Sequence, residues 1–306
     1  MAGLSAIRGV NLPVRSISLP SRLHPNSLKI EAELNKLKTW ESSSASTTAP
    51  LGAETIKNGL VQLAGLYNCV EELIHSPLMQ QALLQHQPGK VMEEALDESI
   101  GLLDVCGNAR DLFLMMKEHV QDLQSALRRK GGVSSIESDL QAYICFRKKV
   151  KKDIGKCLRA LRRTENNFGS FPLLDVNNSL SMVIRMLREV STITISIFRS
   201  LLLSLSMPVM NTKAGGWSLI QKLMPTGLIA SERSQKIINE VGSVDFALYA
   251  LHGRIRKNDT KKIDVQMEQR RLETLDASIK GLEAGLDCLF RRLIQHRVSL
   301  LNILTH

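Results

Sequence analysis

The segment from Val265 to Leu304 constrains the fold of this chain more than any other. Apolar residues recur there in steps of three and four, and no proline and only two glycines interrupt them. A period near 3.5 residues keeps one apolar stripe turned towards a neighbouring helix. The spacing therefore predicts a long terminal helix that needs an apolar partner. The stripe comprises Leu272, Leu275, Ile279, Leu282, Leu286, Leu289, Leu293, Leu300 and Ile303.

Similar stripes upstream supply candidate partners for the terminal helix. They occupy residues 56–74, 92–127, 136–161, 176–201 and 237–255. Aromatic residues make up only 4% of a chain that is 43% hydrophobic, which favours helix packing over a β-sandwich. The connection at Gly131 and Gly132 is so short that its flanking helices must run antiparallel. The sequence predicts an all-α fold, an antiparallel helical bundle with long heptad-patterned helices.

Residues 176–206 are apolar on more than one face, which is typical of a central helix. Arg199 and Pro208 limit the length of the uncharged stretches in this region. A membrane span needs about twenty consecutive apolar residues, so these stretches predict a buried core helix. We expect the terminal helix to pack against it.

Composition divides the chain into three parts. Residues 1–27 carry arginines, serines and prolines without an acidic residue, which predicts a flexible basic arm. Residues 28–50 predict a short helix, capped by Ser27, followed by a low-complexity linker over residues 42–50. Residues 51–306 hold the long stripes and form the predicted bundle domain.

The sequence shows no recognisable catalytic, cofactor or metal site. It contains no nucleophile elbow, no Walker loop and no dinucleotide-binding glycine motif. Glu72 and His75 form a single Glu-x-x-His motif, whereas a carboxylate-bridged metal pair in a bundle needs two. His296 occupies a stripe position, where a histidine is more often a hydrogen-bonded core residue than a ligand. We predict no enzyme, no cofactor and no metal, and five reduced cysteines in the core.

The charge of the chain is concentrated in residues 147–163, RKKVKKDIGKCLRALRR, which hold nine Lys or Arg and one Asp. Helical spacing places several of these cations on one stripe, called here the basic face. It could be a solvated surface or a contact for an anionic membrane, and nucleic acid is a weaker alternative because no aromatic residues are interleaved. The basic face comprises Lys148, Lys152, Lys156, Arg159 and Arg163.

Three segments resemble a plant family of helical proteins grouped with the BYPASS-type proteins. They are RSISLPSRLHP at residues 15–25, IEAELNKLKTW at residues 30–40 and GLEAGLDCLFRRLIQHRVSLLNIL at residues 281–304. The resemblance extends over essentially the whole chain and is most specific in the end segments. It implies a role in root and shoot development and in the control of a mobile root signal. It supplies no catalytic residues, because the family has no established enzymatic activity.

These observations predict a non-enzymatic helical regulator of plant development that acts through protein partners. Two alternatives remain open, a peripheral membrane protein that uses the basic face and an enzyme of small-signal metabolism. We expect a cytoplasmic protein, bound or not to a membrane surface. Plastid and nucleus are alternatives. The plastid is considered because an Arg-containing, acid-free start also resembles an organelle transit peptide.

The arm carries a phosphopeptide motif, since Arg15, Ser18 and Pro20 fit the pattern R-S-x-S-x-P. A 14-3-3-type receptor binds this pattern when the central serine is phosphorylated, through an arginine cluster that captures the phosphate. We expect a peptide of residues 10–25 phosphorylated at Ser18 to bind a purified receptor with a low-micromolar or smaller dissociation constant. The unphosphorylated peptide and a Pro20→Ala peptide are the controls. Absence of binding by the phosphopeptide would contradict this assignment.

Overall fold

Helices account for nearly all of the residues that the computed structural model describes, and no strand occurs among them. The described residues are 25–45, 51–77, 80–81, 89–129, 133–168, 179–206, 239–256 and 265–305. The all-α prediction is confirmed. The helices are α1 (Pro25–Ala45), α2 (Ala53–Ile74), α3 (Gly89–Arg128), α4 (Val133–Phe168), α5 (Ser179–Leu205), α6 (Glu240–Arg256) and α7 (Val265–Thr305).

Helix α7 is the terminal helix that the apolar stripe predicted, and it runs unbroken for 41 residues. Eight of the nine stripe residues are buried, and Ile303 at the end is partly buried. The principal neighbours of α7 are α3 and α2, with α6 as a third. The stripe is therefore covered by helices of the same chain, as expected for a bundle.

The two glycines of the terminal stripe allow α7 to approach α2 closely. A Cβ atom at Gly285 would lie 3.2 Å from Leu60 Cδ1, and one at Gly281 would lie 3.2 Å from Lys57 Cδ. Both distances are shorter than ordinary side-chain contacts. Since residue numbers rise together along the two helices, α2 and α7 run parallel.

Ion pairs connect α7 to α3, and they show that these two helices run in opposite directions. Arg110 Nε lies 2.6 Å from Asp287 Oδ1. Lys117 Nζ lies 2.7 Å from Glu283 Oε2. Residue numbers rise on one helix as they fall on the other, so α3 and α7 are antiparallel. Partly exposed pairs of this kind contribute at most about 1 kcal/mol each, so the buried stripe provides most of the stability and the ion pairs fix the register.

Helix α5 contacts four helices, α4, α2, α1 and α3. Ile195, Phe198 and Leu202 lie outside its main stripe and are buried as well. The prediction of a buried core helix is confirmed, but α5 is not among the principal neighbours of α7, so the prediction that α7 packs against it is wrong. Apolar stripes of equal period can pair in many ways. Here Gly285 allows the close contact with α2, and Asp287 forms the ion pair with α3.

Helix α1 is longer at both ends than predicted. It begins at Pro25, a residue suited to the first helical position because it lacks a backbone N–H. Ser27 is buried inside the first turn, and its hydroxyl has no partner among the described residues, so Ser27 is not the cap. At the other end, the Ser42 hydroxyl donates to the Lys38 carbonyl at 2.9 Å, and the helix continues to Ala45. The first part of the predicted linker is therefore helical.

The apolar side of α1 is buried against α2 and α5. Ile30, Leu34 and Leu37 are all buried, as the spacing predicted. Lys29 forms a salt bridge with Glu72 on α2 at 2.8 Å. Helix α1 therefore belongs to the same apolar core as the later helices.

In the part of the chain that the structure describes, no helix combines the length and the apolar character that a membrane crossing requires.

Candidate interaction surfaces and buried polar clusters

The basic face lies on the solvent side of α4, which packs against α3, α5 and α6 on its other sides. Its five residues are all exposed. Within the face, Lys156 Nζ lies 2.6 Å from Asp153 Oδ1. The opposite stripe of α4 is buried, so the helix separates its charges from its apolar residues. That buried stripe comprises Leu140, Tyr143, Val150, Ile154, Cys157 and Leu161.

The first cation of the basic run, Arg147, is not on this surface. It is only 2% exposed and forms a salt bridge with Asp245 of α6 at 2.8 Å. Tyr143 donates a hydrogen bond to Asp245 Oδ1 at 2.8 Å. Burial alone would lower the pKa of the Arg147 guanidinium, but the Asp245 carboxylate outweighs this effect and raises the pKa. Arg147 is therefore a charged core residue.

Arg147 also joins the end of α5 to the start of α6. Its Nη2 donates to the Leu205 carbonyl at 2.9 Å, which satisfies a carbonyl in the last turn of α5. Asn239 Nδ2 donates to the Ser204 carbonyl at 2.7 Å, and Asn239 Oδ1 accepts from the Gly242 N–H at 2.9 Å. Asn239 therefore caps α6 and ties it to α5.

The sequence carried a weak signal for the buried pair. Arg147 falls between Tyr143 and Val150, four residues after one and three before the other, which is a stripe position. Asp245 likewise follows Val241 by four residues. Two opposite charges at stripe positions of different helices indicate a buried ion pair. The surrounding run of lysines concealed this signal.

A second buried cluster joins α2 to α7. His296 Nδ1 lies 3.2 Å from Glu71 Oε1, and the Ser299 hydroxyl donates to Glu71 Oε2 at 2.5 Å. Burial acts to raise the pKa of the Glu71 carboxyl, but the hydrogen bonds from His296 and Ser299 outweigh it, and the pKa is lowered. The His296 and Tyr67 rings also pack edge to face, with their centroids 5.3 Å apart. The prediction of a hydrogen-bonded core histidine is confirmed.

Glu98 of α3 is a partly buried acid with no cation beside it among the described residues. Its carboxyl contacts the Ser191 hydroxyl of α5. Burial raises the pKa of Glu98 from 4.5 to about 8. The carboxyl is therefore largely protonated and uncharged at neutral pH, which fits its place between two packed helices.

The last turns of α7 carry an apolar row that the described residues leave nearly half exposed. Ile294, Val298 and Leu301 are 42%, 49% and 40% exposed and share one side of the helix. Arg297 of α7 donates to the Leu96 carbonyl at 2.6 Å, so this end of α7 lies beside the start of α3. Ile100, 42% exposed, lies on α3 at the same end. We call Ile100, Ile294, Val298 and Leu301 the apolar end patch.

Both residues of the Glu-x-x-His motif contact other groups of the bundle. Glu72 binds Lys29, while His75 Nδ1 lies 2.9 Å from the Glu71 carbonyl oxygen. Among the described residues, no group of three or more His, Cys, Asp or Glu side chains is placed to hold a metal ion.

All five cysteines are free, as predicted, but Cys145 and Cys288 are exposed and lie outside the core. They follow the helical period of the solvent side and not that of the stripes. The phosphopeptide motif of Arg15, Ser18 and Pro20 lies outside the described residues.

Residues 59–303 match the model of a protein family described as Protein BPS1. The match covers well over half of the chain and includes all of α3 to α6, most of α2 and nearly all of α7. It confirms the resemblance to BYPASS-type proteins. No curated protein and no solved structure matches the chain significantly.

The buried pair between Arg147 and Asp245 makes a sharp prediction for a double-mutant cycle. Arg147→Met should destabilise the fold by about 3–5 kcal/mol, because it leaves Asp245 buried and unpaired, and Asp245→Leu should cost a similar amount. The double variant should recover much of that loss, since no charge is then stranded. Urea unfolding followed by circular dichroism measures each free energy of unfolding.

The exposed pair of Arg128 and Glu273, at 3.4 Å, is the matched control for this cycle. Its coupling energy should stay below about 1 kcal/mol. A coupling energy between Arg147 and Asp245 as small as that of the control would show that the pair is solvated.

Glu98 predicts a specific pH dependence of stability. Because its folded pKa of about 8 lies above the ordinary 4.5, its contribution to stability is full below 4.5 and is lost as the pH rises through 8. Glu98→Gln removes the ionisation. It should match the wild type near about pH 5 and be more stable by about 2 kcal/mol or more near about pH 9.

Urea unfolding at both pH values measures this difference, and the exposed Glu118→Gln on α3 is the control. The Glu118 variant should follow the wild type throughout. If the Glu98 variant does the same, its carboxyl is solvated.

Proposed function

This chain belongs to the BPS1 family, and we propose that it is a non-enzymatic helical regulator of plant root and shoot development that acts by binding protein partners. The family match supports the developmental role, because the resemblance to BYPASS-type proteins implies that role for the chain. An exposed surface of the bundle supports the proposal that the chain binds a protein partner.

The observation that carries this proposal is the apolar end patch. Its four aliphatic side chains are 40–49% exposed, whereas the eight buried residues of the α7 stripe are at most 5% exposed. An exposed apolar patch loses contact with water when a protein partner covers it, which favours association. Arg291 and Gln295 are also exposed and lie beside the patch. An apolar centre with polar neighbours is typical of protein interfaces.

The chemistry of the buried clusters supports a role other than catalysis. In a serine hydrolase, the histidine lies between the serine and the acid so that it can take the serine proton. Here Glu71 lies between His296 and Ser299 and accepts from both. This arrangement holds α2 to α7 and leaves the Ser299 hydroxyl engaged with a carboxylate. It is suited to stability and specificity of packing.

The arm provides a second route to protein partners in this proposal. Phosphorylation of Ser18 would add a doubly charged group beside Arg15 in the sequence, and Pro20 would turn the chain out of a receptor groove. A 14-3-3-type receptor would then bind the arm while the apolar end patch remains available to another partner.

The proposal is tested by placing charges in the apolar end patch. The double variant Ile294→Glu/Val298→Glu should keep its helical content, because both side chains are already about half exposed. It should lose a set of proteins that the wild type captures from root and shoot tissue, as measured by quantitative mass spectrometry. It should also fail to restore growth in plants that lack this protein.

A matched control is the double variant Val61→Glu/Leu203→Glu, whose side chains are 54% and 50% exposed on α2 and α5. It introduces the same charge and should capture the same proteins as the wild type. Equal capture by the wild type and both variants would show that the apolar end patch is not a partner surface.

A further inference from the structure

The basic run of α4 contains an unusual excess of charge that the fold does not neutralise. Seven of its nine cations are exposed and make no salt bridge with any described residue. Arg147 is buried with Asp245, and Lys156 pairs with Asp153. The unpaired cations are Lys148, Lys149, Lys151, Lys152, Arg159, Arg162 and Arg163.

Exposed cations elsewhere in the chain commonly have a carboxylate nearby. Lys29, Arg128 and Arg199 reach acids on neighbouring helices at 2.8, 3.4 and 2.7 Å. Lys57 and Lys280 reach acids on their own helices at 3.1 and 2.7 Å. A few exposed arginines elsewhere also lack an acidic partner among the described residues, but they are scattered over several helices. Helix α4 differs because it gathers seven such cations on one side, where their charge is available to an external anion.

The unpaired cations form a long and narrow surface. From Lys148 to Arg163 the helix rises by about 23 Å, and the α-helical period keeps these residues on the side opposite the buried stripe. Gly155 lies on this side, and the nearest atom to a Cβ there would be Arg159 Nη1 at 3.6 Å. The surface is therefore interrupted by a glycine near its centre, and the Arg159 guanidinium lies beside that glycine.

This surface is formed almost entirely by charged residues and contains few apolar ones. None of the large hydrophobic residues that are exposed in the described chain lies on α4. Protein interfaces usually contain a buried aromatic or aliphatic centre, and single-stranded nucleic acids stack their bases on aromatic side chains. A membrane surface rich in anionic headgroups needs neither, because each Lys or Arg close to it contributes independently.

We propose that the unpaired cations of α4 hold this protein against an anionic bilayer surface. The helix lies parallel to the plane of the headgroups, so that cations along its whole exposed side reach phosphate or carboxylate groups together. The apolar end patch is on α7 and α3, and it remains free for the protein partner. Membrane attachment is thus a second activity, separate from the proposed partner binding.

Sedimentation with vesicles of phosphatidylcholine, with and without phosphatidylserine, tests this proposal. The full chain should bind only the vesicles that contain phosphatidylserine, and binding should weaken as added salt screens the charges. The variant Lys148→Glu/Lys152→Glu/Arg159→Glu should keep its helicity, because all three side chains are exposed. Its partition coefficient should fall by at least about a hundredfold, since each cation contributes about fivefold.

The matched control is Arg129→Glu/Arg256→Glu/Arg270→Glu, which changes the charge equally at exposed positions just after α3, on α6 and on α7. It should lose far less binding than the α4 variant. Equal loss in the two variants would show that only total charge matters and would overturn the proposal, as would unchanged binding by the α4 variant.

Two further arms replace the vesicles with a single-stranded oligonucleotide and with polyglutamate. Binding to either one that depends on the unpaired cations, without binding to anionic vesicles, would also overturn the proposal. Neither result would bear on partner capture through the apolar end patch, since the α4 variants leave Ile294 and Val298 intact.

Discussion

Burial of the α7 stripe between α2 and α3 is the interaction on which the rest of the structure depends. Leu286 and Leu289 are completely buried at the middle of the helix. Full burial of one leucine contributes about 1.5–3 kcal/mol, so a stripe of this length supplies a large share of the free energy that opposes chain entropy. The close contact at Gly285 and the ion pair at Asp287 then determine which helices pack against the α7 stripe. The remaining helices are added around this three-helix core.

The fold uses its basic run in two physically different ways. Arg147 pairs with Asp245 and donates to the end of α5, which fixes how α4, α5 and α6 meet. A buried pair contributes little net stability against an apolar alternative, but breaking it is costly, so it can favour one arrangement of the helices over others. The lysines that follow remain in solvent. One helix thus contributes both a core contact and a charged surface.

Much of the fold could be predicted from the sequence, because apolar period and burial have the same physical cause. The stripes of α2, α3, α6 and α7 are buried where the spacing placed them. Helix pairing could not be predicted in the same way, because equal stripes are interchangeable. Arg147 was assigned to the basic run because its neighbours are lysines, although its stripe position indicated the core. The apolar end patch was missed because Ile294 and Val298 continue the helix period on a side where most residues are polar.

The two surfaces suggest how the protein could work in plant development. The apolar end patch suits a protein partner and the unpaired cations suit a membrane, and they lie on different helices, so both could be occupied together. Both are presented by one bundle, in which α7 packs directly against α2, α3 and α6.

The most direct test of this account is the stability of Leu286→Asp, measured by urea unfolding beside Leu114→Asp. Leu286 is fully buried, whereas Leu114 on α3 is 51% exposed. Since an unpaired charge would stand in the middle of the core, the first variant should lose several kcal/mol, about 4 or more, while the second should stay within about 0.5 kcal/mol of the wild type. Equal and small losses in both variants would contradict the central position of α7.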